Sequence, residues 1–168
     1  MRYFRVDKRR FCLGQSIASA QEFVDKHELG RAVEDAFEGH RPEGKPRREG
    51  SLFVFESEDD AREHHAKMTD GRLYEVEVPD ADVLHRGDMQ LTEQVRSHLE
   101  DCATCGELAR RYWDGLETDA PVIELIVRSS EVVREIDVSP DEKNRALLKA
   151  VGIHIEDTDD LRDSYPRR

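Results

Sequence analysis

Apolar and polar positions follow two periods along this chain. The two-residue period of a half-buried strand is clearest over Leu73 to Val78, where Leu73, Glu75 and Glu77 alternate with Tyr74, Val76 and Val78. Short apolar runs rich in β-branched and aromatic residues predict further strands at Tyr3-Phe4-Arg5-Val6, at 51–56 beginning Ser51-Leu52-Phe53-Val54-Phe55, at 122–128 and at 131–138. The helical period appears in Phe23, Val24, Leu29, Val33 and Phe37, behind a capping box Ser19-Ala20-Gln21-Glu22, with an end near Gly39. A second helix starts at Ser57-Glu58-Asp59-Asp60 and runs to about Met68. From Met89 to Trp113, Leu91, Val95, Leu99, Cys102, Leu108, Ala109 and Tyr112 recur every three or four positions, which predicts one long amphipathic helix with its weakest point near Gly106. Asp141 to Val151 reads as a last helix capped by Gly152.

Between these elements, Gly14 marks a turn, and residues 39–50 hold three glycines and two prolines among charges, the composition of a loop. Val83-Leu84 is a short extended piece, and His85-Arg86-Gly87-Asp88 reads as a turn. Strands alternating with helices, with one direct strand-to-strand step, predict an α+β domain around two small packed sheets over residues 1–138. Residues 139–168 form a helix and an acidic tail, which stays mobile unless a protein partner orders it.

Composition narrows the function classes. The 168 residues carry 38 acidic and 26 basic side chains, a net charge of −12, which disfavours non-specific attraction to nucleic acid or an anionic membrane. The local basic run Lys45-Pro46-Arg47-Arg48 is a patch suited to meeting a phosphate. No run approaches the ~18 apolar residues of a membrane span. The amino terminus has no signal-peptide core, and three cysteines do not make a disulfide framework. A cytoplasmic, reducing compartment is expected.

Three of the predicted strands carry a polar residue that is costly to bury without a partner: Arg5, Ser51 and Glu124. Their order, Arg, then Ser opening a strand, then Glu in a strand that leads at once into Glu131 to Val138, resembles the Arg-Ser-Glu class of mono-ADP-ribosyltransferases. The segment Ile126-Val127-Arg128-Ser129-Ser130-Glu131-Val132 also resembles the strand, turn and strand after that family's catalytic Glu. The resemblance spans roughly residues 1–138. It implies a split β-sandwich of two small sheets with flanking helices, and NAD as co-substrate in a cleft between them.

In that reading Glu124 stabilises the oxocarbenium-like state as the bond to nicotinamide breaks. Arg5 offers a planar fork to ribose and phosphate oxygens. Ser51 fixes the carboxylate, with Phe53 beside it, and Tyr112 and Trp113 supply an aromatic platform for nicotinamide. Transferases of this class that modify arginine carry a second Glu or Gln two residues before the catalytic Glu, where this chain has Val122. The acceptor is therefore open: another side chain, a nucleic acid, a small molecule or water, the last making a NAD glycohydrolase. Compact enzymes of this kind include toxins, antibiotic-modifying enzymes and defence factors.

Two other readings compete. His98, Cys102 and Cys105, at i, i+4 and i+7 of the predicted helix, resemble locally the zinc segment of anti-sigma factors, which would make a zinc-containing regulatory or binding module. Cys12, His64 or His65 would have to supply a fourth ligand, although His64-His65 also reads as a solvated pair on an acidic helix. The same spacing puts both cysteines on the apolar stripe as small hydrophobes, so no metal is the favoured expectation. RNA 2′-phosphate transfer on the same fold is the third reading, weakened by the lack of an evident second phosphate-binding cation. The enzyme reading requires Arg5, Ser51 and Glu124 to line one cleft.

Overall fold

The computed structural model describes residues 1–18 and 28–150. The capping box at 19–22, the helix cap at Gly152 and the acidic tail lie outside the described residues. Strands are β1 Arg2–Asp7, β2 Ser16–Ala18, β3 Leu52–Phe55, β4 Arg72–Glu77, β5 Val83–Asp88, β6 Ile123–Val127 and β7 Ser129–Ile136. Helices are α1 Glu28–Gly39, α2 Glu58–Ala66, α3 Met89–Ser97, α4 Cys102–Trp113 and α5 Pro140–Ala150. The class is α+β, as expected. None of the described helices is long and apolar enough to cross a membrane.

The strands form one open antiparallel sheet in the order β2-β7-β4-β1-β3-β6-β5, where the sequence predicted two separate sheets. The joint at its centre is weak. β1 and β3 are in register only at Phe4 and Phe55, while β1 pairs with β4 from Arg2 to Asp7 and β3 with β6 from Leu52 to Phe55. One core cluster contains Tyr3, Tyr74, Val76 and Val132 from one side of this joint and Leu52, Val54, Leu125 and Val127 from the other, with no helix residue among them. Strands on both sides of the β1–β3 joint therefore contribute to one shared core.

The outer faces are covered by helices. Val33 and Phe37 of α1, Leu91 and Val95 of α3, and Leu108, Tyr112 and Trp113 of α4 close over Ile126 of β6. Ala61 of α2 packs with Phe55, Leu73 and Ile136. The mouth between these two helical layers lies over the joint in the sheet.

Three local expectations are corrected. The long helix breaks at 98–101 and not at Gly106: His98 caps the end of α3, and the Asp101 carboxylate accepts from the backbone N–H groups of Ala103 and Thr104 to start α4. An acceptor side chain at an N-cap outweighs the weak propensity of a mid-helix glycine. Gly106 is instead a contact, since a Cβ there would sit 2.6 Å from Nε2 of His40. His85-Arg86-Gly87-Asp88 is part of strand β5, paired with β6 from Ile126 to Ile123. Ser16–Ala18, where the sequence pattern predicts no strand, adds an edge strand to β7.

Asp88 ties β5, α3 and the approach to β6 together. It is buried, and its carboxylate accepts from the backbone N–H groups of Gln90, Thr118 and Val122 and from the Thr118 hydroxyl. Asp88→Ala removes an N-cap and strands several buried donors, so we expect a loss of about 3 kcal/mol in urea unfolding. A loss under about 1 kcal/mol would show that water replaces the carboxylate without penalty.

Candidate active site

β1 and β3 share the single register pair Phe4–Phe55, and a side chain adds a further bond between the two strands. Nη1 of Arg5 donates to the carbonyl of Phe53 at 2.9 Å, and Nη2 donates to Oδ2 of Asp7 at 2.5 Å. Burial pushes the Asp7 carboxyl up, but hydrogen bonds from Arg9 and the charge of Arg5 outweigh it and hold the group below its ordinary value. Both Arg5 and Asp7 are buried.

A cavity of about 460 Å³ opens beside this joint, within the range of sites that enclose a small molecule or cofactor. Arg5, Ser51, Phe53 and Glu124 all line it, together with Glu34 of α1 and Arg48 from the loop before β3. His64 and Lys67 at the end of α2 and Thr92 and Arg96 from α3 stand on its sides. The three residues of the sequence reading thus come from β1, the start of β3 and β6 to one concavity.

The carboxylate of Glu124 is held by Arg48 and Tyr112, in roles the sequence did not indicate. Its Oε1 accepts from Nη1 of Arg48 at 2.5 Å and from the Tyr112 hydroxyl at 2.9 Å, while Oε2 makes no hydrogen bond among the described residues. Arg48 also donates through Nη1 to the Tyr112 oxygen, and through Nε to Oε2 of Glu34 at 3.0 Å. Its guanidinium lies 4.9 Å from the ring centre of Phe37, 5.0 Å from that of Phe53 and 4.8 Å from that of Tyr112. Burial works against the Arg48 charge, but Glu124, Tyr112 and Glu34 raise its pKa well above the ordinary value. For Tyr112, burial raises the phenol far above its usual range, with the Glu124 carboxylate adding to the effect against the opposing Arg48.

Ser51 therefore does not orient Glu124. Its hydroxyl donates to the carbonyl of Arg47 and its N–H to the carbonyl of Arg48 at 3.0 Å, so it shapes the loop that delivers Arg48. Tyr112 and Trp113 are not a platform in the cavity either. Both are buried in the core, with Trp113 Nε1 donating to Phe37 O at 2.9 Å, because the apolar face of α4 packs them inward. Phe53 does line the cavity. His64 is half-buried against it, and His65 is buried with Nε2 bonded to Gly71 O at 2.8 Å, in place of the solvated pair the sequence suggests.

The His98, Cys102 and Cys105 set does not share one helix. His98 and Cys102 are exposed on either side of the break, while Cys105 is buried and its thiol donates to His98 O at 3.0 Å. Among the described residues, no group of three or more His, Cys, Asp or Glu side chains is arranged to hold a metal ion. No known family model matches this chain, and no curated protein matches it in sequence.

Two residues of β5 support the carboxylate from behind. Gly87 pairs with Glu124, and a Cβ at Gly87 would sit 2.3 Å from the Tyr112 ring. Gly87→Ala is expected to cost about 2 kcal/mol by forcing that ring away, as overpacking does. The Tyr112 absorbance and near-ultraviolet dichroism should shift with it, and an unchanged spectrum and stability would contradict this packing role.

His85 Nε2 bonds the carbonyl of Tyr112 at 3.1 Å, and Nδ1 lies 3.3 Å from the ammonium of Lys45, which fits a neutral ring donating at one nitrogen and accepting at the other. Burial, then the Lys45 charge, lowers its pKa from 6.5 to about 4. A depressed folded-state value means the unfolded chain takes up the proton first. This contribution, at most about 3 kcal/mol, is present above pH 6.5 and is lost as pH falls from there toward 4. Unfolding free energy measured between pH 7 and 5 should fall less steeply in His85→Gln than in wild type; equal slopes would refute the assignment.

Proposed function

We propose that the protein is an NAD-dependent mono-ADP-ribosyltransferase, or a NAD glycohydrolase if water is the acceptor, with Glu124 as the catalytic carboxylate. The observation that carries this reading is the convergence of Arg5, Ser51, Phe53 and Glu124 on one cavity beside the joint of β1 and β3. The order of these residues along the chain resembles the Arg-Ser-Glu class, and a sheet with one weakly registered joint, whose two sides contribute to one shared core, is compatible with that family's split sandwich.

The chemistry rests on the groups lining the cavity. As the bond between the nicotinamide nitrogen and the ribose carbon breaks, its electron pair leaves with the nitrogen and cancels the pyridinium charge. Positive charge then develops on the ribose, and a carboxylate with one oxygen fixed and the other open stabilises it and accepts a hydrogen bond from a ribose hydroxyl. The Arg5 guanidinium offers donors to ribose or phosphate oxygens, and Phe53 is an apolar wall for the nicotinamide ring. The acceptor's nucleophile forms the new bond at the same carbon and releases its proton to solvent. Val122, two residues before Glu124, also lines the cavity and supplies no carboxylate there, so an arginine acceptor is not favoured.

The test is nicotinamide release from NAD by wild type and Glu124→Gln, with NAD affinity measured in parallel. Removing a charge that acts in the transition state should lower turnover by about two orders of magnitude and leave NAD affinity within about threefold. Equal turnover would exclude Glu124 as the catalytic residue. No NAD consumption by the wild type would overturn the reading.

A further inference from the structure

Among the cavity's charged residues, Arg48 stands out because a fully charged group is buried to 5% exposure in a loop segment, with carboxylates on two edges of its guanidinium. We propose that Arg48 is a positioning residue for Glu124, with Glu34 as the anchor that fixes the guanidinium's rotation; the catalytic part of this inference rests on the NAD reading above.

The geometry separates this role from simple core filling. Nε and Nη1 of one planar group are directed to two different carboxylates, at 3.0 Å to Glu34 and 2.5 Å to Glu124, so helix α1 and strand β6 are connected through a single rigid fork. The Phe37, Phe53 and Tyr112 rings around it leave little room for another rotamer. Tyr112 completes the arrangement by donating to the oxygen that Arg48 also holds. The consequence is that the carboxylate plane of Glu124 is set by Oε1, and Oε2 is the oxygen left for a substrate hydroxyl. A lysine in place of Arg48 keeps the charge but has one nitrogen, which cannot bond both carboxylates in these directions. The aromatic cage would still be filled by its alkyl chain.

Arg48→Lys, Glu34→Gln and Glu124→Gln, alone and in pairs, test this by single-turnover nicotinamide release at saturating NAD, with rates normalised to the folded fraction from thermal melts. Misplacing a reacting group by a fraction of a bond length is expected to lower the Arg48→Lys rate by about 10²-fold. NAD affinity should stay within about threefold, and Arg48→Lys should have no further effect once Glu124 is Gln, because it acts through that carboxylate. The same fold-loss from Arg48→Lys in both backgrounds would overturn the inference.

A second readout does not depend on NAD. Nitrogen-15 spectra of the wild type should show separate, slowly exchanging Nη signals for Arg48, and Glu124→Gln or Glu34→Gln should merge them by freeing rotation about the guanidinium bond. Merged signals in wild type would refute the clamp. Wild type that releases no nicotinamide but shows separate signals would overturn the NAD reading and leave the clamp standing.

Discussion

A guanidinium removed from water requires partners on each of its faces and edges, and the burial of Arg48 organises much of its surroundings. Glu34 and Glu124 neutralise it along its edges, Tyr112 accepts from it, and three aromatic rings exclude water from its faces. Breaking a buried pair by removing one partner typically costs about 3–5 kcal/mol, more than any one methyl group in the core supplies. Helix α1, the loop before β3, helix α4 and strand β6 are therefore held to one another by a charge, in addition to their apolar contacts. Tyr112 reaches the pair only because β5 has a glycine beneath its ring.

The second constraint is the joint between β1 and β3. The cavity lies beside this joint, lined by Arg5 and Val6 of β1 and by Phe53 and Phe55 of β3. With one registered pair between them, β1 and β3 are also linked by Arg5, which donates to the Phe53 carbonyl of β3. The same side chain thus bridges the joint and lines the cavity beside it. Asp7 balances its charge, so a second buried ion pair borders the cavity besides the Arg48 network.

Most strands and helices are legible in the sequence because their periods are carried by neighbouring residues. Arg5, Ser51 and Glu124 are legible as candidates because each interrupts an apolar strand. Arg48 is not: it stands in a run of basic residues in a Gly- and Pro-rich loop, which reads as a basic patch suited to a phosphate. Its partners Glu34, Tyr112 and Glu124 are 14, 64 and 76 residues away, a separation no local pattern reports. Glu34 gives one faint signal, its place beside Val33 on the apolar side of α1. The β5 strand is hidden because Gly87 and Asp88 have turn composition for reasons of tertiary contact, one to admit a ring and the other to cap a helix. The aromatic pair at Tyr112 and Trp113 is conspicuous in the sequence, but the apolar stripe of α4 directs both rings into the core and away from the cavity.

The proposed function requires a ribose adjoining nicotinamide to sit against the open oxygen of Glu124. The most direct measurement is a crystal structure of the protein with a NAD analogue whose ribose-to-nicotinamide linkage is carbocyclic and cannot be cleaved. The analogue is expected in the cavity between β1 and β3, with a ribose hydroxyl within hydrogen-bond distance of Glu124 Oε2 and the Arg48 and Tyr112 bonds to Oε1 intact. An analogue bound elsewhere, or none bound at millimolar concentration, would contradict the proposed function.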